Sequence, residues 1–96
     1  MISFDKFIME DGTPIYLQIL LYIKRGIIAG TIADGDELPF RRVLSALLGV
    51  NPNTVQRAFS ELEHDGIIVS RGTLGRFVTE DEEIVEICRK KMAEQL

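Results

Sequence analysis

Ninety-six residues with 46% apolar side chains suit one small globular domain, and the single cysteine, Cys88, excludes an internal disulfide or a multi-cysteine zinc site. Eleven Lys and Arg stand against 15 Asp and Glu, and the resulting net charge of −4 argues on its face against a nucleic-acid partner. The longest apolar run, Ile19–Ile23, falls far short of the roughly 20 residues that span a bilayer, and the acidic start MISFDKFIMED is unlike a leader, so no membrane association and a cytoplasmic location are expected.

The charge is unevenly spread. Residues 1–37 carry three basic side chains against six acids, and residues 77–96 repeat that balance. Between them, residues 38–76 carry five cations against three acids, and every cation is an arginine: Arg41, Arg42, Arg57, Arg71 and Arg76. Arginine's planar fork suits bidentate contact with phosphate or guanine. The acidic average therefore conceals a basic middle.

In chain order, residues 14–29 come first. Ile15, Ile19, Ile23 and Ile27 recur four apart and predict a helix, with Thr13 as a possible N-cap, Pro14 in the first turn and Gly30 just past the end. Leu17, Leu20 and Leu21 widen its apolar surface, so it is buried on more than one side or also faces a partner. Asp34-Gly35-Asp36 reads as a turn. A short helix over about 40–48 is expected from Val43, Leu44, Leu47 and Leu48, closed by Gly49, although Phe40 stands where a capping side chain would help.

The third helix has the clearest signals. Asn51 suits its N-cap, Pro52 its first position and Gly66 the position after its end. Val55, Ala58, Phe59 and Leu62 share one face, while Asn53, Gln56, Arg57 and Ser60 lie opposite. Its acids, Glu61, Glu63 and Asp65, all come late, which leaves the first two turns free to approach a polyanion. Ile67–Arg71 and Gly75–Thr79 then predict two strands joined across Gly72-Thr73-Leu74, with Arg71 and Arg76 flanking the tip. Thr79-Glu80-Asp81-Glu82 matches a capping box that opens a last helix, with Ile84, Ile87, Cys88 and Met92 on one side.

The expected fold is mainly α with a small β-hairpin: a winged helix-turn-helix followed by a C-terminal helix. The domains read as an N-terminal extension over 1–11, a winged helix-turn-helix unit over 12–80 and a C-terminal helix over 81–96. In such a fold the third helix enters the major groove and reads base edges near its N-terminus. Asn53 and Gln56 can offer an amide donor and acceptor to adenine, and Arg57 a fork to guanine or phosphate.

At these residues a family pattern becomes visible. LPFRRVLSALLGVNPNTVQRAFSELEHDGII followed by RGTLGRFV resembles the DNA-binding domain of the GntR family of bacterial transcription regulators. VNPNTVQRAF and the upstream PIYLQI are most similar to its YtrA-type branch, and the similarity covers about residues 12–80. The resemblance implies a homodimeric regulator, a repressor, on a pseudo-palindromic double-stranded DNA operator. It places the family's helix-two arginine on Arg42, with Arg41 beside it, its reading contacts on Asn51, Asn53, Thr54 and Arg57, and its wing glycine on Gly75. With Gln56, Arg71 and Arg76 these complete the expected DNA-binding set. The resemblance assigns dimerisation to the C-terminal helix over 81–96, where Ile84, Ile87, Cys88 and Met92 are the expected dimerisation set. The chain departs from the pattern at Phe40, where a serine is usual, and in the wing, which reads Gly72-Thr73-Leu74-Gly75.

No catalytic constellation is evident: there is no Ser-His-Asp order, no phosphate-cradling glycine loop and no EF-hand spacing in the acid runs. No enzyme activity, cofactor or metal is therefore expected, and no effector can be named. His64 suits a helix C-terminus, and Cys88 a core edge or an interface.

Overall fold

The computed structural model describes residues 1–94, ordered as α1 (Ile15–Ala29), α2 (Arg41–Leu48), α3 (Pro52–His64), β1 (Ile68–Ser70), β2 (Arg76–Val78) and α4 (Glu82–Glu94). The core lies where α1 and α2 meet α3. The four residues expected on the inner face of α3, Val55, Ala58, Phe59 and Leu62, are all 0% exposed, as are Ile19 and Ile23 of α1 and Leu44 of α2. Each large side chain so buried contributes about 1.5–3 kcal/mol, so α3 is the element most firmly anchored in the fold.

Local signals account for most helix ends. Asn51 caps α3 by accepting the Asn53 amide at 2.8 Å, with Pro52 at the first position. Gly49 ends α2 with φ of +69°, a value that favours glycine and lets the chain reverse into α3. Two expected starts are corrected. Pro14, not Thr13, precedes the first residue of α1, and the carbonyl of Thr13 instead accepts from Gln18 Nε2 at 2.8 Å. The capping box also fails. Asp81 caps α4 by accepting the Glu83 amide at 2.9 Å, while the Thr79 hydroxyl accepts the Asp81 amide at 3.1 Å. The helix opens at Glu82, so Asp81 is the residue flanking it and Thr79 stands too early to reach the open amides of the first turn.

α2 also departs from its expected apolar face. Leu44 is buried, but Val43 and Leu47 are 57% and 64% exposed. A helix of eight residues packs along one narrow stripe, here Leu44, Ser45 and Leu48, and its next rows point outward. α1 is covered on a second side, and the cover comes from its own chain. Ile2 and Phe4 of the N-terminal segment are buried, and Phe4 packs tilted and Phe7 edge-on against Tyr22, with ring centroids 4.9 and 5.3 Å away. Ile2 and Phe4 thus belong to the buried core, while most of their neighbours in the first eleven residues are exposed.

The two strands are shorter than expected and pair antiparallel, Ile68 with Val78, Val69 with Phe77 and Ser70 with Arg76, across a 3₁₀ turn at Gly72–Leu74. A third segment joins them. Glu37 bridges Phe77, the Leu38 amide donates to the Arg76 carbonyl at 2.9 Å, and the Val78 amide donates to the Asp36 carbonyl at 2.8 Å. The wing is therefore stitched to the chain that enters α2. α4 packs back against α1 and the core through Ile84, Val85, Met92 and buried Cys88. Among the described residues no helix is long and apolar enough to cross a membrane.

Candidate nucleic-acid interface

The start of α3 is held outward by the turn before it. Asn51, Pro52, Asn53 and Arg57 are exposed and Thr54 is half-buried. The earliest amides of the helix are already satisfied, Asn53 by the Asn51 side chain and Thr54 by the Asn51 carbonyl at 2.9 Å. This end of α3 therefore presents side chains rather than free backbone donors. Because the Asn51 Oδ1 is engaged in capping, its side-chain amide nitrogen is what it has to offer.

Arg57 is 62% exposed, and its guanidinium lies 3.7 Å from the centroid of the Tyr16 ring of α1. Glu61, one turn on, stands 3.9 Å away. Stacking on Tyr16 limits the rotamers of Arg57 and leaves the edges of its fork open. Tyr16 was invisible in the sequence pattern, since it lies outside the isoleucine stripe. Arg41 and Arg42 open α2 and are exposed. Arg41 donates to Gln56 Oε1 at 3.3 Å, while Arg42 makes no ion pair among the described residues; neither Asp36 nor Glu37 claims it.

The two wing arginines diverge. Arg71 is 52% exposed, with Glu80 at 3.9 Å and the Phe77 ring centroid at 5.1 Å. Arg76 is 24% exposed and turns inward: its Nε donates to Glu63, its Nη2 to Gln56 Oε1 at 3.3 Å, and its guanidinium lies 5.3 Å from the Phe59 ring centroid. Gln56 also donates to the Ser60 hydroxyl at 3.0 Å, so its amide is engaged on both sides. The geometry thus separates Arg41, Arg42, Asn51, Asn53, Thr54, Arg57 and Arg71, which face outward, from Gln56 and Arg76, which tie elements together. Gly75 is buried, with φ of +109°, and a Cβ there would meet the Phe40 ring at 3.2 Å, so the close approach at the base of the wing favours glycine.

In α4, only Ile87 of the four residues expected to mediate dimerisation is well exposed, at 52%. Ile84, Cys88 and Met92 pack on the chain's own core, because α4 lies along α1. Burial pushes the Cys88 thiol above its ordinary range, against the opposing pull of Lys24.

Three helices, a tight turn into an outward-facing third helix and a hairpin beside it define a winged helix-turn-helix. Residues 15–78 match the bacterial regulatory proteins of the gntR family. The chain is 39% identical to the HTH-type transcriptional repressor YtrA of Bacillus subtilis over 75% of its own length and 55% of that protein's, so it spans about half of this relative. It superposes on a GntR family transcriptional regulator from Listeria monocytogenes with a TM-score of 0.83 and 41% identity, covering 91% of this chain and 76% of that one. It also superposes on the DNA-binding domain of AraR in complex with operator ORX1, with a TM-score of 0.65 and 28% identity over 75% and 87% of the two chains. The chain belongs to the GntR family and is a DNA-binding transcription regulator of that family.

Proposed function

We propose that the chain represses transcription as a homodimer on a pseudo-palindromic operator. The N-terminal turns of α3 from two subunits enter successive major grooves, with half-sites about 34 Å apart or a multiple of it. Asn51, Asn53, Thr54 and Arg57 meet base edges and nearby phosphates, Arg41 and Arg42 hold the backbone beside the start of α2, and Arg71 holds it beside the wing. The observation that carries this reading is the exposed first half of α3, which has no carboxylate before Glu61 and is flanked by arginines from two other elements. Repression is the part taken from likeness to YtrA, and the operator from likeness to the AraR domain.

In the dimer, α4 supplies the contact through Ile87, supported from behind by Ile84, Cys88 and Met92. Selection of bound duplexes from a random DNA pool tests the whole reading at once. A palindromic motif is the expected product, with affinity falling by a log–log slope near −0.9 for each phosphate contacted. Enrichment of no motif, or of a single half-site bound by one copy, would reject the dimer-on-palindrome model.

A further inference from the structure

A two-stranded hairpin with three paired residues per strand is marginal on its own and takes its orientation from what it leans on. Here the buried Ile68 and Val78 seat the base of the wing on the core, and one polar side chain, Arg76, ties its second strand to α3. Arg76 touches three residues of that helix: Glu63 through Nε, Gln56 through Nη2 and the Phe59 ring. The Arg76–Glu63 pair is 24% and 33% exposed, so solvent screens it less than the exposed pair of Arg71 with Glu80, at 52% and 68%. Gln56 Oε1 accepts from Arg41 as well, which brings the first residue of α2 into the same network. The Phe40 ring against Gly75 adds a second, apolar contact between the start of α2 and the base of the wing.

We propose that Arg76, Gln56 and Glu63 form a clamp that sets the wing against α3, so that Arg76 is a positioning residue and Arg71 carries the wing's phosphate contact. The second half of the proposal rests on the DNA-binding reading above; the clamp itself does not. A phosphate-binding Arg76 and a clamping Arg76 predict opposite signs for one substitution. Glu63→Gln removes a negative charge, which by electrostatics alone tightens binding to a polyanion. If Arg76 works by holding the wing, the same change loosens it and weakens binding.

The experiment uses the full chain and a duplex carrying the motif enriched from the random pool. Expected are a roughly fivefold to tenfold loss of affinity for Glu63→Gln and for Arg76→Gln, with an unchanged salt slope, and a double variant no worse than either single one. Arg71→Gln should instead make the slope shallower by about 0.9. A tighter or unaltered Glu63→Gln complex, or a salt slope reduced by about 0.9 in Arg76→Gln, would overturn the clamp. Amide exchange in the free protein gives a readout without DNA. The Arg71 and Val78 amides, bonded to the Gly75 and Asp36 carbonyls, should exchange faster in Glu63→Gln and Arg76→Gln but not in Arg71→Gln. Unaltered exchange overturns the clamp; faster exchange with no selected motif upholds it and rejects the DNA-binding reading alone.

Discussion

The two halves of α3 share one buried stripe and differ in almost everything else. The first half carries Asn53, Thr54, Gln56 and Arg57 with no acid, and the second carries Glu61 and Glu63, with Asp65 just past its end. Those acids are tethers: Glu61 lies against Arg57, Glu63 against Arg76 of the wing, and Asp65 3.9 Å from Lys24 of α1. The difference teaches how a chain with net charge −4 can still face a polyanion. Acid and base are sorted along a single helix: Glu63 and Asp65 at its acidic end hold the wing and α1, while Asn53 and Arg57 near the other end stay exposed.

The sharpest way to break this division is to remove its shared foundation. Phe59→Ala should cost about 3–5 kcal/mol of stability, enough to unfold much of so small a domain, as a denaturant titration would show. Arg57→Ala acts on the first half alone. Operator affinity should fall by about 1–3 kcal/mol in a shift assay at fixed salt, while the unfolding midpoint stays nearly where it was. Asn51→Ala loosens the start of the helix and should reduce stability by about 1 kcal/mol, together with some affinity. At the acidic end, Lys24→Met removes a partly exposed tether and should alter stability by less than about 1 kcal/mol, with binding intact.

The smallest effect is one of pH. Burial raises the Cys88 thiol above its ordinary value of 9.0, with Lys24 lowering it and Asp65 raising it. Its unfolded form therefore loses the proton first. The thiol's contribution to stability is full below the unfolded value and disappears as pH climbs through the folded one. Unfolding free energies measured across about pH 8 to 10 should decline more steeply in the native protein than in Cys88→Ala. Equal slopes would show that the thiol does not couple to folding.

What could be read in the sequence was whatever is decided within a few residues. Asn51, Pro52 and Gly66 delimit α3 by local chemistry, and the offsets of Val55, Ala58, Phe59 and Leu62 give its buried face. The capping box at Thr79 misled because the helix opens two residues later than the box requires, where Asp81 caps it. Val43 and Leu47 misled because spacing alone does not say how wide a stripe a short helix can bury. Gln56 and Arg76 have the chemistry of DNA contacts, yet each finds partners on another element, and such partners are distant along the chain. The stacking of Arg57 on Tyr16 and the burial of Ile2 and Phe4 were hidden for the same reason.

The stitching of Asp36–Leu38 to β2 bears on how the chain is born. Glu37 leaves the ribosome well before Phe77, so until the wing is synthesised the segment before α2 has an unpaired hydrogen-bonding edge. Helices form from local contacts and can precede that event, whereas this pairing must close a long loop. The wing is then among the last parts to settle, and a nascent chain halted before Phe77 would show its helices to chaperones and its open edge to any strand nearby.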